Sequence, residues 1–139
     1  MKDKDIKKVI IDILCALKYL HNEKNIHYRD ANPHNIMLDN NFNVKLGDFG
    51  LAKKFSKEHE HSGSITNAFQ GSIFYSSPEV VNNQQYTDKS DIWSFGCIIY
   101  ELISSFPPFA GDNLLTVASN IASLNYKKLP IECNPVTFL

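Results

Sequence analysis

A chain of 139 residues, 43% of them apolar, suits one domain with a modest core. Its net charge of -1 gives no electrostatic footing for nucleic acid or for an anionic membrane surface. Cys15, Cys97 and Cys133 are scattered, odd in number and without a C-x-x-C pair, which suits a reducing compartment rather than a disulfide framework. The start, M-K-D-K-D-I-K-K, lacks the apolar core of a signal peptide, and no apolar stretch is long enough to span a bilayer. An intracellular, cytoplasmic protein is expected.

Ile6, Val9, Ile10, Ile13, Leu14, Leu17 and Leu20 recur at three- and four-residue steps, which predicts an amphipathic helix over about residues 4–21. His21-Asn22 ends it, and Cys15 on its apolar run reads as a buried thiol. Short β-type runs follow at 26–28, 35–39 and 43–46, with D-N-N as a hairpin turn between the last two. Residues 51–70 are polar and aperiodic, the pattern of a long surface loop. His59 and His61 within it have no further ligand at metal spacing, so they read as solvated. After Ser90, D-I-W-S-F-G-C-I-I-Y-E-L-I-S-S is apolar on nearly all sides, the signature of a helix at a domain centre. Trp93, Phe95, Cys97, Ile98 and Ile99 read as core there. Pro107-Pro108 stops it, and a further amphipathic helix is expected over about 113–124 with Asp112 as candidate N-cap.

Three polar residues carry the chemistry. Y-R-D-A-N-P-H-N sets Asp30 five positions before Asn35, and Asp48 opens G-D-F-G downstream. This is the spacing of the catalytic-loop pattern H-R-D-x-x-x-x-N followed by D-F-G. Phosphoryl transfer needs those types: a carboxylate to accept a hydroxyl proton, and oxygen ligands for magnesium. S-S-P-E, from Ser76 to Glu79, lies close to the A-P-E that closes a kinase activation segment.

In this order the pieces resemble the C-terminal lobe of a eukaryotic protein kinase over nearly the whole chain. L-H-N-E-K-N-I-H, N-I-M-L, D-F-G-L-A-K and F-Y-S-S-P-E-V are most similar to the NIMA-related serine/threonine kinases. The resemblance implies an α+β fold, mainly α-helical, with short β-hairpins at the catalytic loop. It makes residues 1–139 a partial kinase domain and 48–79 its activation segment. The glycine-rich loop, the strand lysine and its glutamate partner do not occur in the chain, so the N-terminal lobe is expected to be absent from it.

The same resemblance implies ATP and Mg2+ as cofactors and a protein with a serine or threonine hydroxyl as substrate. Asp30 becomes the catalytic carboxylate, Asn35 and Asp48 the magnesium ligands, and Met37 a contact of the adenine. Phe49 is expected to pack beneath Asp48, with Gly47 and Gly50 allowing the backbone to swing. Arg29, the chain's one arginine against thirteen lysines, is expected to meet a phosphorylated activation segment. Thr66 leads the candidate sites there, with Ser62 and Ser64 behind it. Ser72 follows Gly71 where serine/threonine kinases usually carry threonine. Asp91 is expected either to accept hydrogen bonds from the catalytic-loop backbone or to act as an N-cap. Glu79, which in the family pairs with an arginine from a late helix, is expected to be unpaired, because the chain has no arginine besides Arg29.

Two positions depart from the family. Tyr28 replaces its usual histidine. Asn32 replaces a lysine that neutralises the transferred phosphate, and an amide can donate a hydrogen bond but brings no charge. With Asn32 and without the N-terminal lobe, the chain alone is expected to be inactive, and the alternative function is a catalytically inactive, pseudokinase-like or truncated binding module.

Overall fold

The computed structural model describes residues 1, 3–55 and 73–129. Helix α1, Asp3–Lys18, turns its three- and four-step residues Ile6, Val9, Ile13 and Leu17 into the core. A π-helical turn, Tyr19–Glu23, continues it and buries Leu20, so the helical course runs past the expected stop at His21-Asn22. Cys15 lies on the opposite face and is exposed, contrary to its expected burial. The apolar run there is wider than the face the core can cover, and Ile11 and Leu14 are exposed with it.

Strand β1, Ile26–His27, leads to a 3-10 turn at Pro33–Asn35, strand β2 at Ile36–Leu38 and strand β3 at Val44–Leu46. β2 and β3 pair antiparallel, Ile36 opposite Leu46 and Leu38 opposite Val44. Asp39 closes the hairpin by accepting from the amides of Asn41 and Asn43 at 2.8 and 2.9 Å. The hairpin is anchored to α1: Asp12 accepts the Val44 amide at 3.1 Å, and Lys8 bridges Asp12 and the Asn43 side chain. Strand β4, Lys53–Lys54, pairs with β1 and was not foreseen.

A 3-10 turn at Ile73–Tyr75 and the short helix α2, Pro78–Val81, precede the long helix α3, Asp88–Ser104. α3 buries Phe95, Cys97 and Ile98 at the centre of the core, while Ile92 remains exposed, so the helix is not covered on all sides. Helix α4, Leu114–Ala122, adds Val117 and Ile121. Its cap is Asn113, whose side chain accepts the Thr116 amide at 2.9 Å, and not Asp112. The result is mainly helical with two-stranded sheets. No helix of the described residues is long and apolar enough to cross a membrane.

Thr87 starts α3 with a capping box: its hydroxyl caps the first turn, and the Ser90 hydroxyl accepts the Thr87 amide at 3.1 Å. Thr87→Ala is expected to cost about 1 kcal/mol, read as a lower urea midpoint with unchanged slope. No loss would mean that tertiary packing alone fixes this helix start.

Candidate active site

The segment from Tyr28 to Asn35 is fixed from below by α3. Asp91, fully buried, accepts the backbone amides of Tyr28 and Arg29, each at 2.9 Å. It also accepts from the Tyr86 hydroxyl and from His21 Nε2 at 2.7 Å. An ionised carboxylate can only accept, so Nε2 carries the proton in this pair. Asp91 is thus the acceptor for the backbone of Tyr28 and Arg29, as expected, and the N-cap is Thr87 instead. Burial pushes the Asp91 carboxyl up, but the bonds from His21, Tyr86, Arg29 and Tyr28 outweigh it and hold the group below its ordinary 3.8. Burial, and then the charge of Asp91, raises Tyr86 well above the ordinary phenol value, so it stays a donor.

Arg29 sits in the left-handed region at φ 69, a conformation that its amide bond to Asp91 holds. Its guanidinium lies over the Tyr86 ring, 5.1 Å from the centroid. Asp30 is half-buried and receives one amide on each oxygen: Asn32 Nδ2 on Oδ1 at 3.0 Å and Asn35 Nδ2 on Oδ2 at 2.9 Å. Asn35 also donates to the Asp30 carbonyl at 2.9 Å. That uses up its amide hydrogens and leaves its amide oxygen as a free acceptor among the described residues. Flipping the amide would set oxygen against oxygen, so the network fixes the orientation.

The hairpin carries Asn35 to Asp48. Asn35 ends the turn before β2, Gly47 follows β3, and the Gly47 amide donates to the Asn35 carbonyl at 2.8 Å. Asp48 comes next, at φ 42, exposed, with Oδ1 accepting the Gly50 amide at 2.9 Å. Among the described residues no glycine has positive φ. A Cβ on Gly50 would lie 3.0 Å from Asp48 Oδ1, and one on Gly47 3.1 Å from Met37 Cε, both ends of exposed side chains that can give way. Met37 and Phe49 are both about half exposed, and Phe49 meets the edge of the Tyr28 ring at 5.2 Å between centroids.

Tyr28 is the site residue whose role the sequence did not reveal. It is fully buried, stacks on Phe95, and donates its hydroxyl to the Gly47 carbonyl. The Gly47 peptide is therefore held at both ends, by Asn35 and by Tyr28. Burial, then the charges of Asp30, Asp48 and Asp91, raise the Tyr28 phenol and keep it a donor. Tyr28→Phe removes that hydroxyl alone. It is expected to cost about 1 kcal/mol, because a part-buried carbonyl loses its donor. Equilibrium urea unfolding measures this, and a loss under a few tenths would show that the carbonyl finds another partner.

Glu79 has a partner: the Ser90 hydroxyl donates to it, where an unpaired carboxylate was expected. A hydroxyl at the start of α3 takes the place of a guanidinium. Thr66, Ser62, Ser64, Ser72, His59, His61 and Cys133 lie outside the described residues, as does most of the 51–70 loop.

No group of three His, Cys, Asp or Glu side chains suited to a metal occurs among the described residues. The donor set formed by Asn35 and Asp48 nonetheless fits magnesium. That ion commonly takes one or two protein oxygens and completes its shell with water and phosphate.

The chain belongs to the protein kinase family: the model of the protein kinase domain matches residues 1–134. It is similar to the serine/threonine-protein kinase Nek10 of Mus musculus, 41% identical over 123 residues, which cover 88% of this chain and 11% of that protein. It is similar to the probable serine/threonine-protein kinase nek2 of Dictyostelium discoideum, 39% identical over 132 residues, 94% of this chain and 30% of that one. The 3-phosphoinositide-dependent protein kinase B of Dictyostelium discoideum is 44% identical over 102 residues, 73% of this chain and 11% of that one. The likeness to NIMA-related kinases is borne out by the two Nek proteins. The chain spans under a third of the length of these relatives.

Proposed function

We propose that residues 1–139 are the C-terminal lobe of a protein serine/threonine kinase, with 48–79 as its activation segment. The reaction is transfer of the ATP γ-phosphate to a serine or threonine hydroxyl of a protein. The observation that supports this most is the hairpin that returns Gly47, the residue before Asp48, to the Asn35 carbonyl, while the Asn35 side chain donates to Asp30. Bound Mg2+ and ATP supply the phosphoryl group and the charge that screens it. Asp30 orients the incoming hydroxyl and takes its proton. Asn35 and Asp48 offer oxygens to the metal, and Met37 offers an apolar surface to the adenine. Arg29, its amide on Asp91 and its guanidinium over Tyr86, meets phosphate on the activation segment, with Thr66 the leading site. Free thiols at Cys15 and Cys97 suit an intracellular, cytoplasmic setting.

A second reading, a binding module without turnover, is favoured by one observation: among the described residues, only neutral amides contact the Asp30 carboxylate. Mn2+ and ADP added to the 15N-labelled chain separate the metal site from a mere likeness. Selective paramagnetic broadening at Asn35 and Asp48, lost in Asp48→Ala, supports the site. Broadening elsewhere, or none, contradicts it.

A further inference from the structure

Asn32 stands where the resemblance expects a cation, and its surroundings show what it does instead. Its amide nitrogen donates to Asp30 Oδ1 at 3.0 Å and to the Asp30 carbonyl at 3.2 Å. Its amide oxygen accepts the His34 amide at 3.0 Å and caps the 3-10 turn Pro33–Asn35. Pro33 cannot donate a backbone hydrogen bond, so His34 is the first amide of that turn needing an acceptor. The turn ends in Asn35, which grips the other Asp30 oxygen at 2.9 Å.

We propose that Asn32 is a positioning residue that locks the Asp30 carboxylate in place and fixes the turn presenting Asn35. The lock itself is a property of the folded chain; only its consequence for turnover rests on the kinase reading. Aspartate has several staggered χ1 wells of similar energy, and an amide on each oxygen selects one. Misplacing a reacting group by about 1 Å costs on the order of 100-fold in rate, so this selection bears on the chemical step.

Substitutions divide the two ends of the side chain. Aspartate at 32 has the same shape and keeps the acceptor for His34, but it loses the donor and sets a second carboxylate against Asp30. Lysine keeps a donor and loses the acceptor. A residue that only builds the turn would tolerate aspartate.

The test has two arms. In 15N spectra of the 139-residue chain, Asp30→Ala is expected to speed exchange of an Asn32 side-chain amide proton by at least about tenfold, the factor carried by one hydrogen bond to a charged acceptor. The His34 backbone amide should be unchanged. Unaltered Asn32 exchange overturns the lock. In the second arm the protein is expressed with any sequence its gene places on either side. Asn32→Asp is expected to lower kcat by about 100-fold, with KM for ATP within about twofold and the melting temperature nearly unchanged. Wild-type kcat in that variant overturns the positioning role. If the wild-type protein transfers no phosphate, the kinase reading fails, and the exchange arm still decides the lock.

Discussion

Asp91→Ala is expected to unfold much of this chain. Asp91 is fully buried and satisfies four donors that come from three parts of the molecule: His21 after α1, Tyr28 and Arg29 in the catalytic loop, and Tyr86 before α3. Alanine strands all four. Each orphaned buried donor costs about 1–3 kcal/mol, and breaking a buried charged network typically costs about 3–5 kcal/mol in total. A domain of this size holds about 5–15 kcal/mol, so the loss is a large share of it. Asp91→Asn fares little better, because its NH2 faces donors on one side. The wild-type protein should show the same dependence through pH. The Asp91 pKa is depressed by folding, so its contribution is complete above the ordinary 3.8 and drains away as pH falls below that value through the folded one. Urea midpoints from pH 7 down to pH 3 measure this. A loss under about 1 kcal/mol for Asp91→Ala would show that the loop is fixed by packing alone.

Asp30→Asn is expected to lower kcat by about 100- to 10,000-fold, the span typical of a positioned acid–base group. The shape is kept, so KM for ATP should hold within about twofold, which marks an interaction made in the transition state. The fold should tolerate it, since Asp30 is only half-buried and Asn35 can still donate to the Asp30 carbonyl. Steady-state kinetics with the protein and its native flanking sequence, in saturating magnesium, give the split. Equal loss in kcat and in melting temperature would instead mark Asp30 as a turn-former.

Much of this was legible from local pattern. The step of Ile6, Val9, Ile13 and Leu17 is the helical period itself, so the buried face of α1 could be read directly. The Asn35–Asp30 contact was within reach of local pattern because the two lie five positions apart on one turn, and the short hairpin that closes on Asp39 returns the chain to the Asn35 carbonyl at Gly47. What escaped was set by distant residues. The β1–β4 bridge joins two residues to two others and has no signal of its own. That Asp91 accepts backbone amides of the Tyr28–Arg29 segment could be anticipated, but not that His21 and Tyr86 would converge there from 70 and 5 positions away. The partner of Glu79 was not legible because it is a serine hydroxyl eleven positions on, at the start of α3, and not an arginine. The bond from the Tyr28 hydroxyl to the Gly47 carbonyl depends on where the hairpin returns, which the residues around Tyr28 do not encode.

The central claim, that this fold carries serine/threonine phosphoryl transfer, meets its most direct test in the chemistry of the product. The protein, with any flanking sequence of its gene, is incubated with γ-labelled ATP, magnesium and a general protein substrate, and the labelled product is hydrolysed to amino acids. The account predicts label on phosphoserine and phosphothreonine, lost when Asp48 is replaced by alanine. Label on phosphotyrosine alone, or no label above that of the Asp48→Ala variant, would contradict it.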